Sequence, residues 1–377
     1  MPQPIDSVPT SITAFVGGAP EGPRDVPVDV QSFAGFQEHF GAEVNSPLAV
    51  SVRLFFENGG TDAIIVRAGS DVAIGDADVS DPALQPEKRG LWALEQVDIF
   101  NLLCIPPFSP GLGGDIGAQT RRAAADYCTA RRAFFIVDPL ASWVTPDDII
   151  NGPDGLESAV WGLPRTPNAA VYFPRLRVSD PRRAGTVIDC APCGAIAGLY
   201  ARTDTRGVWT APAGQRATLD GVSALTVNLT DMEQARLNPR AVNVLRTFPE
   251  KGHVAWGART LEGTDSLGSE WKYVPVRRLA LFLEERIARG TQWAVFEPND
   301  ERLWSALRQQ VGTFLHQLFR AGAFQGTTER QAYLVKCDQG TTSQRDIDEG
   351  VVNILVGFAP LKPAEFIVIS IRQRTAR

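Results

Sequence analysis

The chain has 377 residues, 44% of them hydrophobic and 21% charged, with a formal net charge of −6. That is ordinary globular usage in a length that suits two or three compact domains, and no apolar run approaches the roughly 20 residues of a membrane-spanning helix. A disordered chain, a membrane-spanning one, and a protein whose bulk surface coats nucleic acid are therefore excluded.

In chain order, a short apolar strand, Ile12 to Val16, opens the first series and is closed by Gly17-Gly18. Helical spacing follows over Phe33 to Phe40, stopped by Gly41, and over Pro47 to Asn58, stopped by Gly59-Gly60. Ala63 to Arg67 reads as a strand. A second series repeats the grammar with strand Ile99 to Ile105, a Pro- and Gly-rich loop, helix Gly117 to Arg131, strand Ala133 to Val137 and a further strand at Ala169 to Pro174. This alternation predicts an α/β (α+β) fold, a sheet layered with helices. Small residues and glycine dominate Pro192 to Pro212, and Thr203 to Pro212 reads as an extended loop.

The last third carries the strongest pattern. Tyr273 to Arg289 is helical, Trp293 to Phe296 reads as a short strand, and Asp300 is placed to cap a helix over Glu301 to Ala321. That helix sets Leu303, Trp304, Leu307, Val311, Phe314, Leu315, Leu318 and Phe319 on one wide face, with Arg308, His316 and Arg320 toward the other. Three strands follow, at Ala332 to Cys337, Val351 to Ala359 and Glu365 to Ile371.

Known chemistry finds little purchase. The run Gly111 to Gly117 fails the dinucleotide pattern because Ile116 stands where glycine is required, and the prolines at 106, 107 and 110 break the tight turn. No phosphate loop, zinc-protease, nucleophile-elbow or calcium-loop pattern occurs. Asp147-Asp148 reads as a helix-start pair and Glu284-Glu285 as a solvated face. The five cysteines are odd in number and scattered, which suits free thiols, and Cys190 and Cys193 read as small buried side chains at a helix start. No cofactor or metal is expected. The first residues lack a basic and an apolar region of the secretory kind, which points to folding in a cytoplasm.

Two further features are conspicuous. Residues 301–377 carry a net +3, leaving −9 for the first 300, so the C-terminal quarter is suited to an acidic partner. The final strand, Glu365 to Ile371, is largely apolar on both faces and runs into the basic tail Arg372-Gln373-Arg374-Thr375-Ala376-Arg377. Such a strand is a poor half-solvated edge: it lies central in its own sheet, or a neighbouring subunit covers it. Strand exchange between identical copies satisfies that need, and a head-to-tail version propagates into rings or helical filaments.

Several long stretches resemble the sheath proteins of contractile phage tails, tailocins and extracellular contractile injection systems. They are Ser11 to Gly17, Phe55 to Gly60, Gly194 to Pro212, Leu237-Asn238-Pro239, Asn243 to Arg246, Val254 to Leu261, Trp271 to Arg278, Phe296 to Asn299 and Gly357 to Pro360. The resemblance covers nearly the whole chain. It implies a non-enzymatic subunit stacked in six-fold rings around an inner tube, contracting to drive the tube through a target envelope. Identical subunits, the tube protein, baseplate and tail-terminator proteins are the implied partners, with no nucleic acid and no membrane insertion.

Carried onto this chain, the resemblance implies a short N-terminal arm (1–11), an outer α/β region (12–250), a tube-facing region (251–363) and a C-terminal donor arm (364–377). Phe366, Ile367, Val368, Ile369 and Ile371 would be the donated strand. Val351, Asn353, Leu355, Leu334 and Val335 would belong to the receiving sheet, and Arg308, His316 and Arg320 would touch the tube. Sheath proteins usually carry a longer arm before the segment matching Ser11 to Gly17, so the N-terminal donor strand is expected to be short or missing, through an internal start or a specialised paralogue. A non-contractile sleeve or tail-end paralogue is the alternative reading, and a metabolic α/β enzyme the next.

Overall fold

The computed structural model describes residues 5, 8–41, 46–69, 74–109, 114–180, 183, 185–361 and 367–374. The chain divides into two compact units, one running Thr10–Arg206 and Thr210–Pro275, the other built mainly from Val276–Arg377.

The strands of the first unit are β1 (Thr13–Gly17), β2 (Val28–Val30), β3 (Ala63–Arg67), β4 (Leu102–Cys104), β5 (Phe134–Val137), β6 (Ala169–Phe173), β7 (Leu176–Ser179), β8 (Val187–Cys190), β9 (Val222–Leu225), β10 (Val242–Phe248) and β11 (Gly252–Ala255). Eight of them form one sheet in the order β11-β10-β6-β5-β4-β1-β3-β2. Its inner pairings are parallel, and only the marginal pairs β10–β11 and β2–β3 are antiparallel. With β3 on one side of β1 and β4 on the other, the sheet is doubly wound. Strands β1, β5 and β6 are buried at every position, which is why their sequences are almost wholly apolar, with Thr13 the polar exception in β1.

Both margins of this sheet are blunted. β2 is three residues long. The outer edge of β11 is taken by the chain's own segment Gly214–Leu219, through Gly214 N–H to Ala255 O (2.8 Å), Ala255 N–H to Ala217 O (2.9 Å) and Leu219 N–H to His253 O (2.8 Å). A small antiparallel sheet, β8-β7-β9, completes the unit.

The helices Phe33–Phe40, Pro47–Glu57 and Ala118–Ala130 fall where their periodicity puts them. Cys193–Asp204 is a helix too: it begins at the cysteine read as lying at a helix start and runs through a stretch whose small residues and glycines gave its extent no periodic signal. It packs on Pro47–Glu57 at backbone range: a Cβ on Gly194 would stand 2.0 Å from Ser51 O, and one on Gly198 2.3 Å from Phe55 O. Those glycines depress helix propensity yet permit the close crossing. The division between units falls after Pro275, beyond the boundary expected at 250, because β11 pairs with β10 and Leu261 is 1% exposed within the first unit's core.

In the second unit, helix Glu301–Arg320 buries Leu303, Trp304, Leu307, Val311, Phe314, Leu315 and Leu318. Asp300 caps it as expected, its Oδ1 accepting the N–H groups of Arg302 (2.9 Å) and Leu303 (3.2 Å). Arg286 of helix Val274–Gly290 lies over the rings of Phe282 and Phe314. Trp293–Phe296 belongs to a 3-10 helix, Gln292–Phe296, instead of the expected strand. Turn bonds such as Ala294 N–H to Thr291 O hold it, and Trp293 Nε1–H donates to Gln310 Oε1 at 2.9 Å. Glu284 and Glu285 are not a solvated face either: they pair with Arg277 and Arg289, and their side chains are only 21% and 17% exposed.

Candidate strand-exchange surface

The C-terminal sheet has the order β12-β13-β14, with β12 at Tyr333–Lys336, β13 at Val351–Phe358 and β14 at Ile367–Arg374. Both pairings are antiparallel. Alternation along β13 sends Val352, Ile354, Val356 and Phe358 into the core at 0% exposure. Full burial of such side chains contributes about 1.5–3 kcal/mol each. Phe358 meets Phe324, which in turn meets Tyr333 of β12. The sheet is further pinned by Asn299, whose Nδ2–H donates to Val351 O (2.9 Å) while its Oδ1 accepts from Trp304 Nε1–H (2.8 Å).

The register brings together the strand and the sheet picked out from the sequence. Val351 faces Arg374, Asn353 faces Arg372, Ile354 faces Ile371, Leu355 faces Ser370, Val356 faces Ile369 and Gly357 faces Val368. Leu334 and Val335 of β12 face Gly357 and Val356 across the other side of β13. All of this happens within one chain. β14 takes an edge, since β13 holds the centre, so of the two expected placements the central one does not occur within this chain. Among the described residues the outer edge of β14 has no ladder partner. Phe366 lies outside the described residues.

The three residues expected to meet the tube do not form one free cationic surface. They spread over about 120° of the helix at 100° per residue. Arg308 is engaged at home, paired with Glu301 and donating to Cys337 O. His316 Nδ1 lies 3.1 Å from Glu329 Oε1. Arg320 is exposed and appears in none of the described ion pairs.

Elsewhere, residues in the resembling stretches act as pins. Asn58 donates Nδ2–H to Leu54 O (2.8 Å) and Asp220 O (3.0 Å), while its Oδ1 accepts Asp220 N–H (2.8 Å). Asn243 does the same work between β10, β6 and the following segment, with Val171 O (3.1 Å), Arg259 O (2.7 Å) and Arg259 N–H (2.6 Å). The five cysteines are buried and unpaired with one another. Burial pushes the Cys190 and Cys337 thiols up to about 12. Among the described residues there is no cluster of His, Cys, Asp or Glu suited to a metal ion, and no helix long and apolar enough to cross a membrane.

The chain thus pairs a doubly wound unit with a small sheet whose last strand has no ladder partner on its outer edge among the described residues. The chain belongs to the contractile tail sheath family: residues 162–261 match the phage tail sheath protein central domain and 266–374 the phage tail sheath C-terminal domain. The tail sheath protein of Vibrio phage KVP40 is 27% identical over 179 residues, 47% of this chain and 25% of that protein, so the chain spans about a quarter of the curated relative's length. The sheath complex of the extracellular contractile injection system PVC, in its contracted state, superposes with a TM-score of 0.76 at 29% identity over 97% of this chain and 92% of that one. A chain in the anti-feeding prophage baseplate structure gives 0.73 at 27% identity over 98% and 97%.

Proposed function

We propose that the chain is a non-catalytic structural subunit that polymerises around an inner tube as a contractile sheath, with β14 exchanged between identical copies. The observation that carries this reading is the β13–β14 ladder, whose two strands are joined by residues 359–366. At about 3.3 Å per residue that connection reaches roughly 25 Å when extended, far more than a hairpin turn needs. The same ladder can therefore form within a chain or between neighbours, at nearly equal enthalpy. Backbone bonds of this kind survive when subunits slide and rotate about extended arms, so they give the thread that a contracting lattice requires. Contraction draws its energy from new contacts between subunits, the extended state being kinetically held.

Tube and baseplate proteins are the further partners, assembly takes place in the producing cell's cytoplasm, and the product is a phage tail or tail-like particle. The match to a chain in a baseplate structure supports a second placement, as a tail-end sheath paralogue. Cysteines placed at the facing pair Ile354 and Ile371, one on each of two co-expressed chains, test the exchange. Disulfide-linked oligomers in assembled particles are expected. Particles that still form cylinders but contain no disulfide-linked chains refute it.

A further inference from the structure

β5 runs directly into a buried acid. Asp138 is 8% exposed, and its Oδ1 accepts the backbone N–H of Cys193 at 2.8 Å, so it holds the start of helix Cys193–Asp204 against the end of the strand. Its Oδ2 is buried with no hydrogen-bond partner among the described residues. An ionised carboxylate left half-unpaired in a dry site is far costlier than a neutral one.

The surroundings do little to hold a charge there. Arg175 is the cation acting on Asp138, but it is shared with Asp115 through an ion pair and with Pro139 O through its Nε–H (3.2 Å) and Nη2–H (3.1 Å). Asp115 adds a like charge. Cys104 on β4 and Cys190 on β8 bring only buried thiols, whereas the thiol and backbone N–H of Cys193 favour the ionised form without offsetting burial. Beyond Cys190 stand Asp189 and, on helix Pro47–Glu57, Arg53, whose Nε and Nη2 are likewise buried and unpartnered.

We propose that Asp138 is a proton-operated lock: it is carried as a neutral carboxylic acid in mildly acidic solution, and loss of that proton loosens the joint between β5 and helix Cys193–Asp204. Burial, the largest influence on the group, pushes it up to about 7. An unfolded Asp titrates near 4, so between about pH 4 and 7 the native chain holds a proton that the unfolded chain has lost. Stability falls as pH rises through that window. The joint matters because this helix is the one seated on Pro47–Glu57 at backbone range.

The test compares urea unfolding of the unaltered chain and of Asp138→Asn at pH 5 and pH 8. The unfolding equilibrium constant of the unaltered chain should rise roughly tenfold to a hundredfold more than that of the variant, by linkage. Equal pH dependence in the two overturns the lock. Infrared spectroscopy of the unaltered chain decides even if the variant does not fold: a protonated buried carboxyl band at pH 6 that fades by pH 8 is expected, and an ionised Asp138 at pH 6 refutes the proposal. Neither measurement depends on whether the chain forms a sheath.

Discussion

Replacing Gly194 with Ala sets two effects of opposite sign against each other. In an unobstructed helix interior Gly→Ala stabilises by about 1 kcal/mol, because the chain loses less backbone entropy on folding. At this position the new Cβ would lie 2.0 Å from Ser51 O, 2.6 Å from Ser51 C and 2.8 Å from Ser51 Cα. Those atoms are backbone, so no rotamer change relieves the contact, and the helices must part by about 1 Å or more. Overpacking costs about 1–3 kcal/mol and reaches higher when backbone has to shift, so the net is a loss of about 2 kcal/mol. In a unit of this size that lowers the midpoint by roughly 4–8 °C in a thermal scan. Gly312→Ala, in helix Glu301–Arg320, is the matched control: no atom lies within 4 Å of its added Cβ, and it should gain about 1 kcal/mol. A Gly194→Ala chain as stable as the original, or more so, refutes the close-crossing argument.

Asn58→Ala removes one bond to Leu54 in its own helix and two that tie the helix end to Asp220, and should cost about 1–3 kcal/mol in urea unfolding, with Asn58→Asp recovering only the acceptor. The cysteines should resist an aromatic disulfide reagent in the native chain at pH 8, and all five should react once it is unfolded. Ile354→Ala empties a fully buried site under the ladder and should cost about 2–5 kcal/mol, read as loss of the C-terminal unit's unfolding transition.

Much of this fold was legible where burial on both faces forces an unbroken apolar run, as at residues 63–66 and Phe134–Val137, or where a cap and a periodic face agree, as at Asp300 and the helix after it. The helix Cys193–Asp204 was legible at its start but not in its extent, because Gly194 and Gly198 serve a tertiary crossing and weaken the local helical signal. Trp293–Phe296 misled because a short apolar run has no period to tell a strand from a turn of helix. The strands of the candidate sheet were readable from sequence, but their mutual register was not, since the alternation of Val352, Ile354, Val356 and Phe358 sets the buried face and leaves shifts of two residues open. The acids that engage Arg308 and His316 were not, since Glu301 lies two turns back along the helix and Glu329 beyond its end.

The capped margins of the large sheet bear on how copies of the chain meet. A molecule made in many copies, each with an eight-stranded sheet, would fuse side by side wherever those sheets ended in bare backbone. With one border only three residues long and the other sheathed by Gly214–Leu219, that route to disordered clumping is shut. Growth by ladder is steered away from the bulk of each subunit, leaving order in the polymer to be dictated elsewhere.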